Sequence, residues 1–176
     1  MKHKAKRRQT LTKIAVYPGT FDPFTIAHLE IVKRGLRIFD EIIIAVAPSQ
    51  KKQPLFSLEE RLSMIKKSVE DIDGVGVEAL NGLLANYVKD KKGVAIIRGL
   101  RAVSDFEYEM QMVMMNRRLN AEIETVFLMP SEEYSFLTST SVKEVASFGG
   151  PVKGLVPEVV EKALKEKFKV IEDKVG

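Results

Sequence analysis

The sequence predicts an α/β fold: a doubly wound, open sheet of five parallel strands with helices on both faces. Two observations carry this expectation. Short apolar runs alternate with helix-period segments from residue 14 almost to the end of the chain, the pattern left by successive βαβ units. The runs are also apolar throughout rather than alternating, as in Ile42-Ile43-Ile44-Ala45-Val46-Ala47, which suits strands buried on both faces.

Ile14–Tyr17 reads as the first strand, ended by Pro18-Gly19, a pair that favours a turn. From about Thr25 to Phe39 the residues Ile26, Leu29, Val32, Leu36 and Phe39 recur at helical spacing. Ile42–Ala47 is the second strand, followed by a polar, lysine-bearing loop over 48–56. Ser57-Leu58-Glu59-Glu60 has the form of a capping box, opening a helix that turns Leu62, Ile65 and Val69 inward. Val75–Leu80 follows as a strand, Leu83–Lys91 as a short helix and Val94–Ile97 as the fourth strand. Ser104-Asp105-Phe106-Glu107 predicts a second capping box, before a long helix reaching about Asn120. Thr125–Met129 makes the fifth strand, closed by Pro130. A helix starts near Thr138–Ser141, and the last begins at Pro157, where proline suits the first helical position. No repeat or linker divides the chain. Residues 13–176 are expected to form a single domain, behind a basic and disordered extension over 1–12.

At 176 residues one domain can bury a real core. No apolar run approaches the roughly 20 residues of a membrane span, and the basic start lacks the apolar stretch of a secretory signal. Cysteine is absent, which removes disulfides and thiolate metal sites. A cytoplasmic protein with no membrane partner is expected. Lys2, Lys4, Lys6, Arg7, Arg8 and Lys13 supply the excess charge; taking these six from 28 leaves 22 basic against 24 acidic residues. The basicity thus belongs to the extension and not to the body. It argues against a nucleic-acid-binding domain, whose Lys and Arg should spread across a folded surface, and tryptophan, a stacking platform for single strands, is absent as well.

Ligands of such sheets bind beyond the carboxyl ends of the strands, and four of the predicted ends carry unusual chemistry. After the first, Gly19 permits a tight turn, Thr20 offers a hydroxyl and His28 falls in the first turn of the next helix, where amides and dipole favour a phosphate. Lys51 and Lys52 follow the second strand, and Arg98-Gly99-Leu100-Arg101 places two guanidiniums after the fourth. After the fifth, Tyr134-Ser135-Phe136-Leu137-Thr138-Ser139-Thr140-Ser141 supplies five hydroxyls within seven residues, more than one N-cap requires. Cations and donors gathered on one sheet edge suit a polyphosphate. Neither the Gly-x-x-x-x-Gly-Lys-Ser/Thr nor the Gly-x-Gly-x-x-Gly fingerprint occurs. Direct in-line attack on a nucleoside triphosphate fits best, the protein positioning groups and neutralising charge.

These residues resemble the nucleotidyltransferase superfamily, with its Thr/His-x-Gly-His motif and later Ser/Thr-rich motif, and within it the bacterial phosphopantetheine adenylyltransferases. The resembling segments are Tyr-Pro-Gly-Thr-Phe-Asp-Pro at 17–23, Leu-Glu-Glu-Arg at 58–61, Ile-Arg-Gly-Leu-Arg-Ala-Val at 97–103 and Asp-Phe-Glu-Tyr-Glu-Met at 105–110. Val-Phe-Leu-Met-Pro at 126–130 and Val-Lys-Glu-Val-Ala at 142–146 complete a likeness spanning about residues 13–168. The resemblance implies a Rossmann-like nucleotidyltransferase fold and a reaction of ATP with 4′-phosphopantetheine, giving 3′-dephospho-coenzyme A and pyrophosphate, with Mg²⁺. It implies catalytic roles for His28 and Lys52, and substrate contacts from Thr20, Lys52, Leu84 and Arg98. ATP would be held by Thr20, Phe21, His28, Gly99, Leu100, Arg101, Glu109, Tyr134, Ser135, Phe136, Leu137, Thr138, Ser139 and Thr140. A homohexamer inhibited by coenzyme A is implied too.

Ala27 stands where the His motif has glycine, and Leu137-Thr138 replaces the commoner Ile-Ser, keeping the hydroxyl. Met110, Met112, Met114 and Met115 read as core or subunit-contact filling, and His3 as part of the extension. A nicotinate-mononucleotide adenylyltransferase or glycerol-phosphate cytidylyltransferase would share the His motif. The Arg98–Met110 stretch separates them and favours pantetheine.

Overall fold

A computed structural model describes residues 12–48, 53–101 and 103–175; most of the basic extension, and Lys51 and Lys52, lie outside the described residues. Strand and helix alternate as expected: β1 (Ile14–Gly19), α1 (Ile26–Gly35), β2 (Glu41–Val46), α2 (Leu58–Ser68), β3 (Val75–Ala79), α3 (Leu84–Asp90), β4 (Ala95–Gly99), α4 (Val103–Leu119), β5 (Glu124–Leu128), α5 (Ser139–Ser147) and α6 (Glu158–Val175). The strands form one sheet in the order β3-β2-β1-β4-β5, every pair parallel.

The apolar runs divide between two cores by residue parity. Ala15, Tyr17, Ile42, Ile44, Ala95 and Ile97 pack with Ile31 and Val32 of α1 and Ile65 of α2. Val16, Ala45 and Ile96 pack on the other face with Ala85 and Val88 of α3. This is why the runs of β1, β2 and β4 do not alternate: both faces of these inner strands are covered. A third cluster joins Ala27, Phe56, Met64, Val142, Val160 and Leu164 beneath α5 and α6.

Sheet order reverses between β1 and β4, and there the ladder is cut short. Residues of β1 pair with β2 along their whole length, to Gly19 opposite Val46, whereas β1 and β4 pair only at Ala15–Ala95 and Val16–Ile96. The Ile14 carbonyl points toward β4, accepting the Val94 N–H at 2.8 Å. By strand alternation the backbone of Pro18 faces the same way. Proline has no N–H to give, and its carbonyl accepts from the Arg98 guanidinium at 3.3 Å instead. The crevice expected of a doubly wound sheet opens where the two strands part.

Ser57 and Glu60 exchange the two bonds of a capping box at the start of α2. Helix α4 begins at Val103, so Ser104 falls within the helix and not before it; the cap bonds expected of Ser104 lie outside the described side chains. A single 3₁₀ turn at Glu132–Tyr134 was not foreseen.

Arg61, on α2, is 2% exposed. Its Nε donates to the carbonyls of Phe56 (3.2 Å) and Ser57 (3.3 Å), and one terminal nitrogen to those of Thr20 (2.6 Å) and Ala47 (2.9 Å). One side chain thus ties the end of β2 and the start of α2 to the turn after β1. Replacing it by methionine is expected to cost on the order of 3 kcal/mol, since each buried acceptor left unsatisfied costs about 1–3 kcal/mol. Urea unfolding of Arg61→Met measures this; a loss below about 1 kcal/mol, the ordinary value of a single neutral hydrogen bond, would contradict the clamp.

Candidate active site

The turn after β1 is built around its aromatic residues. Phe21 adopts φ 50°, unusual for a residue with a side chain, and its ring lies over Gly19, where an added Cβ would meet the ring at 2.7 Å. Glycine is required there for that close approach. Phe21 meets His28 edge-on, with centroids 5.2 Å apart, and Phe24 stacks on it at 5.5 Å.

Thr25 caps α1, and His28 is its partner. The Thr25 N–H donates to His28 Nδ1 at 3.0 Å, while the His28 N–H points back to Thr25 Oγ1 at 3.4 Å. Histidine here takes the place that Glu or Gln fills in an ordinary capping box. An Nδ1 that accepts from a backbone amide carries no proton, so the neutral ring is the Nε2–H tautomer. Burial, helped by the Arg101 guanidinium, pushes the imidazole down to about 4. His28 lines the main cavity; with Nδ1 committed to Thr25, the donor it offers there is Nε2–H.

Two cavities meet at the parted strand ends. The larger, about 640 Å³, is walled by Gly19, Phe21, His28, Gly99, Arg101 and Thr138–Thr140 among others. The smaller, about 300 Å³, lies toward α3 and α4 and includes Leu84, Ile96, Met112, Val113 and Asn116. Pro18, Gly19, Thr20, Arg98 and Glu109 belong to both. Arg98 shares the parity of Ile96 and so leaves the sheet on the α4 side. There its Nε and Nη2 meet the two oxygens of Glu109 at 2.6 and 2.5 Å.

The start of α5 faces the larger cavity. Thr138 caps it in a box with Ser141, and Ser139 Oγ donates to the Pro23 carbonyl at 2.8 Å. Ser135 Oγ donates to the Glu132 carbonyl. Four of the five hydroxyls noted in the sequence thus serve the local fold, so their number alone does not signal a ligand; their placement does, for Thr138, Ser139 and Thr140 are on the wall. Leu137 is also on it, whereas Leu100, Tyr134, Ser135 and Phe136 are not among its lining residues. Lys52 lies outside the described residues.

Three residues of the site had no assigned role in the sequence reading. Asp22, 7% exposed, accepts from the Leu55 and Phe56 amides, each at 3.0 Å, and from Lys143 Nζ at 2.6 Å. Lys143 lines the larger cavity beside the α5 start, and Arg61 holds the Thr20 carbonyl from behind. All three lie within segments that carry the family resemblance. Their partners are distant in sequence, so spacing gave no cue.

The unusual state of His28 is open to direct measurement. Between about pH 6.5 and 4 the folded protein binds fewer protons at this site than the unfolded chain. The stability contributed by the neutral ring is therefore complete above pH 6.5 and is lost as pH falls toward about 4. NMR of the His28 imidazole is expected to give the Nε2–H tautomer and a midpoint near 4; an Nδ1–H ring or a midpoint near 6.5 would contradict the capping geometry.

Known proteins resemble this chain in sequence and in fold. Residues 16–145 match the model of the cytidylyltransferase-like family. A protein of Thermodesulfovibrio yellowstonii named phosphopantetheine adenylyltransferase is 61% identical over 160 residues, covering 90% of this chain and 99% of that one. Two solved structures share the fold at low identity. One, from Vibrio parahaemolyticus and described as a nicotinate-nucleotide adenylyltransferase, has a TM-score of 0.67 at 16% identity, over 90% of this chain and 95% of the other. The second, a Francisella tularensis bifunctional NMN adenylyltransferase/ADP-ribose pyrophosphatase, has a TM-score of 0.61 at 19% identity, over 93% of this chain and 55% of the other.

Proposed function

We propose that this chain, which belongs to the cytidylyltransferase-like family and within it to the phosphopantetheine adenylyltransferases, transfers the adenylyl group of ATP to 4′-phosphopantetheine. The products are 3′-dephospho-coenzyme A and pyrophosphate, a step of coenzyme A biosynthesis. One observation supports this most strongly: two cavities, one facing helix starts and cations and one largely apolar, share a wall at Thr20, Arg98 and Glu109. A triphosphate suits the first, a flexible arm the second, and the reacting phosphates would meet at the wall.

A phosphate oxygen of the acceptor attacks the α-phosphorus of ATP, forming one P–O bond as the bond to the pyrophosphate oxygen breaks. Arg98 and Thr20 hold the acceptor phosphate, and Leu84 touches the arm. His28 Nε2–H donates to the α-phosphate oxygens as negative charge builds on them; the ring needs no proton change to do so. Phe21, Gly99, Leu100, Arg101 and the 134–140 segment serve ATP, with Arg101, Lys143 and the α5 amides nearest the β- and γ-phosphates. A second stabilising charge from Lys52 rests on the family resemblance.

Magnesium fits as an ion carried on the nucleotide. Among the described residues no group of three His, Asp or Glu side chains could hold a metal, and the wall carboxylates Asp22 and Glu109 are engaged by Lys143 and Arg98. A cation held by substrate phosphates and water, as Mg²⁺ commonly is, would offset phosphate charge. Self-association to a homohexamer is supported by α4, which exposes Met114 (67%) and Met115 (57%) among other apolar side chains. Coenzyme A, which combines an adenylate with the pantetheine arm, would span both cavities and inhibit. No described helix is long and apolar enough to cross a membrane, in keeping with a cytoplasmic enzyme.

Pyrophosphate release is expected to require both ATP and 4′-phosphopantetheine, with nicotinate mononucleotide and glycerol phosphate inert as acceptors. Turnover of nicotinate mononucleotide at comparable kcat/KM would overturn the assignment.

A further inference from the structure

The family resemblance assigns Glu109 to ATP, yet a carboxylate is a poor direct neighbour for polyphosphate. Its contacts tie it to Arg98. Glu109 is 9% exposed, and both its oxygens are taken by Arg98, at 2.6 and 2.5 Å. Glu109, Val113 and Asn116 recur at helical spacing, and all three line the smaller cavity from α4. The pair itself stands on the wall common to both cavities.

Resting on the function proposed above, we infer that Glu109 is a positioning residue for the acceptor, acting through Arg98. A guanidinium is planar, and fixing two of its edges fixes the whole fork. Glu109 takes the Nε–Nη2 edge and the Pro18 carbonyl takes Nη1. The plane of Arg98 is therefore set before substrate arrives, and the rotamer freedom of a long side chain is not lost on acceptor binding. That gain is specific to the acceptor phosphate. The negative charge of Glu109 is less selective: it opposes both phosphate-bearing substrates. The two effects separate in the ratio of the KM for acceptor to the KM for ATP, because removing the charge lowers both constants while losing orientation raises only the first.

Two variants isolate orientation. Glu109→Gln removes the charge and the bidentate contact; Glu109→Asp keeps the charge but withdraws it by one methylene. Both are expected to raise the KM ratio, acceptor over ATP, about 5- to 10-fold, inside the roughly 2- to 12-fold span for re-immobilising one long side chain on binding. In an Arg98→Ala background, adding Glu109→Gln should leave the ratio within about 2-fold, as for two residues acting as one unit. Melting curves on each variant confirm that folded enzyme is compared, and if Glu109→Gln fails to fold, Glu109→Asp decides. A rise in the KM for ATP alone would make Glu109 an ATP ligand and overturn the inference. So would an Asp variant that behaves as the parent, which marks a role of charge only, and so would additive effects in the double variant. A parent enzyme that releases no pyrophosphate with phosphopantetheine overturns the functional reading instead, and this inference with it.

Discussion

The hydrogen bond from the Thr25 amide to His28 Nδ1 is the constraint on which the site depends. The same contact that closes the first turn of α1 also selects the tautomer of the ring. Phe21 and Phe24 pack against the ring, and burial together with the Arg101 charge keeps the imidazole neutral across the physiological range. In the reaction proposed above, a donor arranged in this way would carry no charge that traps the triphosphate in its ground state. It would act where charge grows, the kind of contact that raises kcat instead of tightening binding.

Around that donor the sheet supplies space by ceasing to pair. Strands β1 and β4 are adjacent but laddered only at their first residues, and the groups released beyond that point find work in the site. The Pro18 carbonyl orients Arg98, and the Thr20 carbonyl is held by Arg61. The turn between β1 and α1 is therefore fixed from three directions: by Arg61 beneath it, by Asp22 through the Leu55 and Phe56 amides, and by Ser139 on the Pro23 carbonyl. Such bracing holds reacting groups in place without motion at the moment of transfer, which is most of what this class of reaction asks of a protein.

Much of this was legible in the residues because it is encoded locally. Strands buried on both faces announce themselves as unbroken apolar runs, and Ser57–Glu60 capped its helix as its spacing foretold. The placement of His28 in the first turn of α1, behind a Gly-Thr turn, was legible too. The failures are instructive in the same terms. Ser104–Glu107 has the composition of a capping box, yet α4 opens at Val103, before Ser104, so the motif misplaced the helix start. Most hydroxyls of 135–141 also brace the backbone, contacts that composition does not show. Asp22 and Lys143 are without a role in the sequence because the contacts of Asp22 reach 33 to 121 residues along the chain, and Arg61 because its bond to the Thr20 carbonyl spans 41, beyond the reach of any periodicity.

The most direct measurement is the turnover, per folded enzyme, of a variant that loses the ring. Glutamine would keep the cap but also an amide N–H donor, so His28→Ala is the variant that removes the Nε2 donor. If His28 acts as a transition-state donor, kcat falls by about 10²–10³, as for other single preorganised donors. The Kd for ATP then stays close to the parent value, while the melting temperature falls with the lost cap. A kcat within a few-fold of the parent, whatever the stability of the variant, would contradict that role and leave His28 as a helix cap alone.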